Sequence, residues 1–288
     1  MRLIRLPAAL FIALLGIGPA LLPAPAQAQA GKEFTPQVGQ EGKDVIWVPT
    51  PMSLVERMLD MAKLTAKDIH YDLGSGDGRT VIAAAKRGAQ AYGVEFNPDM
   101  VALSERNAAK EGVAGKAKFI HGDIFQTDFS KATVLTLYLL PSLNLKLRPT
   151  ILKMKPGTRV VSHAFTMDDW QPDQTETAEG RTAYLWIVPA RVEGTWKWTV
   201  SGSGPREYEL MVRQQYQQLE GVVRLDGKMG QFRNAKLDGD HISFSVIELT
   251  GGTNTIRRDF TGRVNGETIE GTVKHPGGEA KWTATRAK

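Results

Sequence analysis

The sequence predicts an α/β body on a mostly parallel seven-stranded sheet, followed by a small antiparallel all-β domain, barrel or sandwich. Three observations predict it. Short apolar runs alternate with helix-patterned stretches from Asp68 to Val188 and end in a strand pair. The stretch Tyr71–Arg79, reading YDLGSGDGR, sets three glycines between a strand and a helix. From Arg191 the texture changes to about eight short alternating stretches divided by turn residues. The expected organisation is a leader over 1–30, a flexible linker over 31–44, the α/β domain over 45–190 and the β domain over 191–288.

The leader starts with Arg2 and Arg5, continues as an apolar run from Leu6 to Leu22 and ends in PAPAQAQA. Ala26-Gln27-Ala28 and Ala28-Gln29-Ala30 both fit a small-x-small cleavage site, so export to the periplasm is expected. The run is shorter than the ~20 residues of a spanning helix. No integral membrane segment is expected after cleavage; an uncleaved leader would leave an anchored form.

Composition narrows the chemistry. The chain has 36 Lys and Arg against 31 Asp and Glu, a net charge of +5, but its basic residues are scattered, which argues against a nucleic-acid partner. With no cysteine, disulfides, thiolate metal sites and a cysteine nucleophile are excluded. The five histidines show no close ligand spacing, so no metal is expected.

Before the first helix, Val45 to Pro51 (VIWVPTP) reads as extended because two prolines fix φ. Ser53 is the expected cap of a helix from Leu54 to about Lys63. Asp68 to Tyr71 is the first strand, and Thr80 to Lys86 the next helix, stopped by Gly88. In the turn between them, Gly74, Gly76 and Gly78 let the backbone bend and approach a ligand. The spacing is G-x-G-x-G, not the G-x-G-x-x-G of dinucleotide sites, and Asp72 precedes it. A carboxylate there would repel a pyrophosphate and suits a cationic amino group.

Ala91 to Glu95 is the second strand, and Glu95 lies 21 positions after Gly74, near the ~20-residue offset at which an acid meets ribose hydroxyls. Asn97 caps and Pro98 starts a helix to about Lys110. Ala117 to His121 is the third strand, followed by Gly122-Asp123-Ile124-Phe125. The fourth strand, Thr133 to Tyr138, runs into Leu139-Leu140-Pro141; a helix follows over Asn144 to Leu152 and a fifth strand over Thr158 to Phe165. A hairpin is expected around Glu179-Gly180.

The glycine turn resembles motif I of the class I S-adenosylmethionine-dependent methyltransferases, with their Rossmann-like sheet. VPTP, DLGSGDGR, GVEFNP, GDIF, YLLP, PGTRVVSH and Trp170-Gln171-Pro172 narrow the likeness. They resemble the small protein-lysine methyltransferases that act on the mitochondrial ATP synthase c-subunit and adenine nucleotide translocase. The resemblance covers about Val45 to Pro172. It implies S-adenosylmethionine as cofactor, held by Asp72, Gly74, Ser75, Gly76 and Glu95, with adenine against Asp123 and Ile124. It implies a protein lysine, or a small-molecule amine, as acceptor, with Tyr138 shaping that site and Trp47 and Thr50 in a lid. The secretory leader and the C-terminal extension depart from those enzymes, and an exported enzyme needs its cofactor delivered. The rival reading is a non-catalytic exported binding protein whose β domain is the working part. Nothing in that domain reads as catalytic; it is expected to stabilise or dock, or, as a barrel, to hold an apolar ligand.

Overall fold

A computed structural model describes residues 34–200, 205–251 and 254–287. The leader, its cleavage sites, the Gly202-Ser203-Gly204 turn and part of the Gly251-Gly252 turn lie outside the described residues. No helix among the described residues is long and apolar enough to cross a membrane.

The α/β part has α1 (Met52–Met61), β1 (Ile69–Leu73), α2 (Arg79–Lys86), β2 (Gln90–Glu95), α3 (Pro98–Lys110), β3 (Ala117–His121), β4 (Val134–Leu137), α4 (Pro141–Ile151), β5 (Arg159–His163), β6 (Gln174–Ala178) and β7 (Arg181–Ile187). The seven strands form one sheet in the order β3-β2-β1-β4-β5-β7-β6, antiparallel only at β7. Strand order reverses between β1 and β4: the chain winds outward one way from β1 and the other way from β4. Their carboxyl ends therefore open a crevice, where such sheets bind ligands.

Local chemistry explains most boundaries. Asn97 accepts from the Asp99 and Met100 amides with its side-chain oxygen, and Pro98 opens α3. Gly88 and Gly112 follow α2 and α3 with φ of 94° and 72°, where a side chain would strain the backbone. Two starts differ from expectation. Ser53 is not a cap: α1 begins at Met52 behind Pro51, and no side chain caps it. The fourth helix begins three residues earlier than expected, because Pro141 supplies a first-turn residue with preset φ and no amide to satisfy. Leu73, Leu135, Leu137 and Val160 are buried in the sheet's centre, and α1 covers one face with Leu54, Val55, Met58, Leu59 and Met61. Each such side chain contributes roughly 1.5–3 kcal/mol by leaving water.

The rest is a closed antiparallel barrel, which decides between barrel and sandwich. It is built from β8 (Gly194–Val200), β9 (Arg206–Gln215), β10 (Gln218–Leu225), β11 (Lys228–Asp238), β12 (His241–Gly251), β13 (Asn254–Asn265), β14 (Thr268–His275) and β15 (Gly278–Arg286). Pairing of β15 with β8 and β9 with β10 closes the ring and leaves no free edge. Trp198, Tyr208, Phe244, Phe260 and Trp282 fill the interior, with ring centroids 4.9–6.0 Å apart. These side chains occupy the centre, as befits eight strands.

Candidate active site

At the crevice lies a cavity of about 510 Å³, lined by the ends of β1, β2 and β4, the 75–79 turn and the segment before α1. Its size suits a cofactor-sized ligand. Asp72, Gly74, Ser75, Gly76, Glu95, Asp123, Ile124, Tyr138, Trp47 and Thr50 all line it. Residues up to 91 positions apart (138 − 47) are thus brought together by one topological feature.

The glycine turn is left-handed at each glycine: φ is 81° at Gly74, 54° at Gly76 and 80° at Gly78. The glycines answer different neighbours. A Cβ on Gly76 would lie 2.6 Å from Trp47 Nε1, and one on Gly78 would lie 2.8 Å from the Phe119 ring. Gly93 on β2 is equally constrained, since its Cβ would lie 2.5 Å from Ser75 Oγ. The sequence reading gave Gly93 no role.

Asp72 is buried and accepts from Thr136 Oγ1 at 2.6 Å. Burial, with the nearby Glu95 and Asp77 charges, pushes its carboxyl up to about 7. It is therefore poised to ionise when a cation arrives beside it. Thr136 also meets His70 Nε2 at 2.8 Å. With Asp72 ionised, Thr136 gives it its one hydroxyl proton and His70 donates through Nε2, leaving Nδ1 as a bare acceptor. Nδ1 is buried without a partner among the described residues. Burial pulls His70 down to about 3, so it stays neutral.

Glu95 accepts from the Gly76 amide with one oxygen and from the Asn97 amide with the other, both at 2.9 Å. Each oxygen keeps a lone pair for a further donor. Asp123 accepts from the Phe125 amide at 2.9 Å and pairs with Lys43 Nζ at 2.7 Å, and these donors hold its carboxyl below the usual range. Ile124 and the exposed ring of Phe96 flank that end.

The segment before α1 is a hairpin lying along the cavity. The Gly39 amide donates to Trp47 O and the Trp47 amide to Gln40 O, each at 2.9 Å, and Gly42 closes on Val45. Arg79, held by both oxygens of Asp77, donates to Thr50 O at 3.1 Å. Thr50 Oγ1 lies 3.0 Å from His163 Nδ1. The His163 ring stacks on Tyr138 at 3.8 Å, and burial pulls it down to about 4, so it is neutral. The far end of the cavity, with Tyr138, Leu139, Leu140, Leu143 and Phe165, carries no charge.

Sequence reading missed Lys43, Asp77, Arg79, Thr136, His163 and Phe165. Arg79 stood within the quoted turn, and His163 within the quoted fifth strand. Lys43 sits in a polar stretch with no pattern to mark it.

The residues fit S-adenosylmethionine. Asp72 offers a buried acid to an ammonium group, Ser75 Oγ is a buried hydroxyl without a partner among the described residues, and Glu95 offers two free lone pairs to vicinal hydroxyls.

A family model for the ANTKMT methyltransferase domain matches residues 72–174. A protein-lysine N-methyltransferase of Saccharolobus islandicus (strain REY15A) is 44% identical over 151 residues, which are 50% of this chain and 94% of that protein. The human lysine N-methyltransferase of the ATP synthase c-subunit is 36% identical over 135 residues, 46% of this chain and 57% of that enzyme. A solved structure described as an RNA methyltransferase from Salinibacter ruber in complex with S-adenosyl-L-homocysteine is 50% identical. The match covers 50% of this chain and 96% of that one, with a TM-score of 0.49.

Proposed function

This chain belongs to the ANTKMT family of S-adenosylmethionine-dependent methyltransferases, and we propose that it methylates a lysine side-chain amine on a protein. The observation that carries the acceptor is the 44% identity to a protein-lysine N-methyltransferase over 94% of its length. The comparisons lend nothing to the rival reading, a non-catalytic binding protein. Export to the periplasm, read from the leader, is part of the proposal.

The cofactor supplies a methyl group already activated on a positively charged sulfur. The chain's own work is therefore positioning. Asp72 would take the ammonium, Glu95 the ribose hydroxyls, and Asp123 with Ile124 and Phe96 the base. Tyr138, Leu139, Leu140 and Phe165 form an uncharged wall for the incoming amine. A lysine has a pKa of about 10.4 in water, so little is neutral at pH 7. Desolvation by that wall favours the neutral, nucleophilic form. The wall would hold the neutral amine facing the methyl group, and the surplus proton would leave to water. No general base is required. His163, neutral and bonded to Thr50, holds Tyr138 by stacking and takes no proton in this scheme.

The test is to incubate the purified protein with methyl-labelled S-adenosylmethionine and an envelope extract of the native host, then analyse labelled protein for methyllysine. Label on lysine nitrogen is expected. Label on carboxyl groups, or on small molecules alone, rejects the protein-lysine assignment.

A further inference from the structure

The loop between β5 and β6, residues 164–173, carries Phe165 into the uncharged end of the cavity, where its ring stacks on that of Tyr138 at 6.2 Å with the planes 21° apart. Two non-glycine residues of this loop are left-handed, Ala164 with φ 65° and Asp168 with φ 60°. L residues seldom hold that conformation unless their surroundings impose it. One support comes from α4: Asn144 Nδ2 lies 3.3 Å from both Phe165 O and Thr166 O, and Arg148 donates to Met167 O at 2.8 Å.

The other support comes from the barrel. The two-residue turn between β9 and β10 is Tyr216-Gln217, and Tyr216 is itself left-handed, with φ 55°. Its ring stacks on Trp170 at 5.7 Å, with the planes 18° apart. Its hydroxyl donates to Asp169 Oδ1 at 3.0 Å, an oxygen that Arg148 also holds. Gln217 Oε1 accepts from Trp170 Nε1 at 3.0 Å, and Gln217 Nε2 donates to Gln171 O at 2.8 Å. Trp170 is fully buried, and its carbonyl accepts from Trp186 Nε1 at 2.7 Å. The turn satisfies donors and acceptors in the carboxyl-terminal half of a single loop, and it shares Asp169 with Arg148 of α4.

We infer that the Tyr216-Gln217 turn is a positioning device for the acceptor wall. The barrel grips the 164–173 loop at residues 169–171, and the grip sets where Phe165 stands against Tyr138. Tyr216 and Gln217 are positioning residues that act through Trp170 and Asp169. The inference rests on the proposed lysine transfer only in calling that wall the acceptor side. It gives the C-terminal barrel, which lies outside the family match, a part in the same reaction.

The experiment places 4-fluorophenylalanine at position 165 of the full chain and records its fluorine resonance. One narrow resonance is expected for the parent. Tyr216→Ala and Gln217→Ala should each shift or broaden it, and Tyr216→Phe, which keeps the stack on Trp170 but loses the bond to Asp169, should change it less than Tyr216→Ala does. Affinity for S-adenosylmethionine, measured by calorimetry, should stay within about twofold in all three, because the turn touches none of Asp72, Gly76 and Glu95. A resonance unmoved by both alanine variants overturns the inference. So does a cofactor affinity that falls in step with the resonance change, since that marks general loosening. A parent that binds no S-adenosylmethionine would sink the proposed function, while the fluorine comparison would still decide the grip.

Discussion

Glu95 and Gly76 are joined by a 2.9 Å hydrogen bond in which the carboxylate accepts from the amide, tying the end of β2 to the middle of the glycine turn. The acid thus shapes the cradle as well as offering lone pairs to a ligand. Glu95→Ala should weaken S-adenosylmethionine binding by about 1–3 kcal/mol, between ~5- and ~150-fold. Calorimetry measures it, and unchanged affinity would remove Glu95 from the site.

Gly76 should tolerate no side chain. Its φ of 54° and the 2.6 Å approach of Trp47 Nε1 to a built Cβ act together. Gly76→Val should lower cofactor affinity more than Glu95→Ala does. In a Trp47→Ala background Gly76→Ala should cost less than in the parent, a coupling of about 0.5–3 kcal/mol. Additive effects would show that the two residues do not meet.

Asp72 gives cofactor binding a pH dependence. With its carboxyl pushed up to about 7, the free protein holds a proton there below neutrality, and a bound ammonium favours its release. Affinity should fall by up to about tenfold per pH unit on going below pH 7. Asp72→Asn should flatten that profile. The raised value carries a second sign. Between about pH 4 and 7 the native state holds a proton that the unfolded state has lost, so stability of the free protein should decline as pH rises through that window. Denaturant midpoints at pH 5 and pH 7, compared with Asp72→Asn, check it.

Much of the frame was legible because it rests on local chemistry. Asp72, Glu95 and Asp123 each stand at or just beyond a strand's carboxyl end, which a run of strand and turn signals reveals. The Asn97 cap and the turns at Asp226-Gly227 and Glu179-Gly180 are also written locally, the latter two having positive φ at both residues. The barrel strands follow from period-two alternation. Long-range pairings were not legible. Lys43 meets Asp123 across 80 positions, and Tyr216 meets Trp170 across 46. Neither partner has a local pattern that selects the other. His70 shows the same limit. It looks like an ordinary strand residue, and only the packing of β1 on β4 brings it to Thr136 and so to Asp72.

Phe260 is the centre of the barrel's aromatic cluster, fully buried among Trp198, Tyr208, Phe244 and Trp282. Phe260→Ala should destabilise the protein by about 3–5 kcal/mol, read from denaturant unfolding. A loss under about 1 kcal/mol would mean that the barrel interior is not packed as described.

The leader should be removed. Protein from the native host should begin at Gln29 or Gly31, which intact-mass measurement reads directly. A chain retaining Met1 in a cytosolic fraction would contradict export.

The central claim is that the crevice between β1 and β4 binds S-adenosylmethionine and delivers its methyl group to lysine. The most direct measurement is transfer of labelled methyl into host envelope protein by the parent and by Glu95→Ala and Asp72→Ala, at cofactor levels well below saturation, with modified residues mapped by mass spectrometry. The account predicts label on lysine Nζ with the parent and a loss of at least about fivefold with each variant. Label that appears on other groups, or that persists undiminished in both variants, would contradict it.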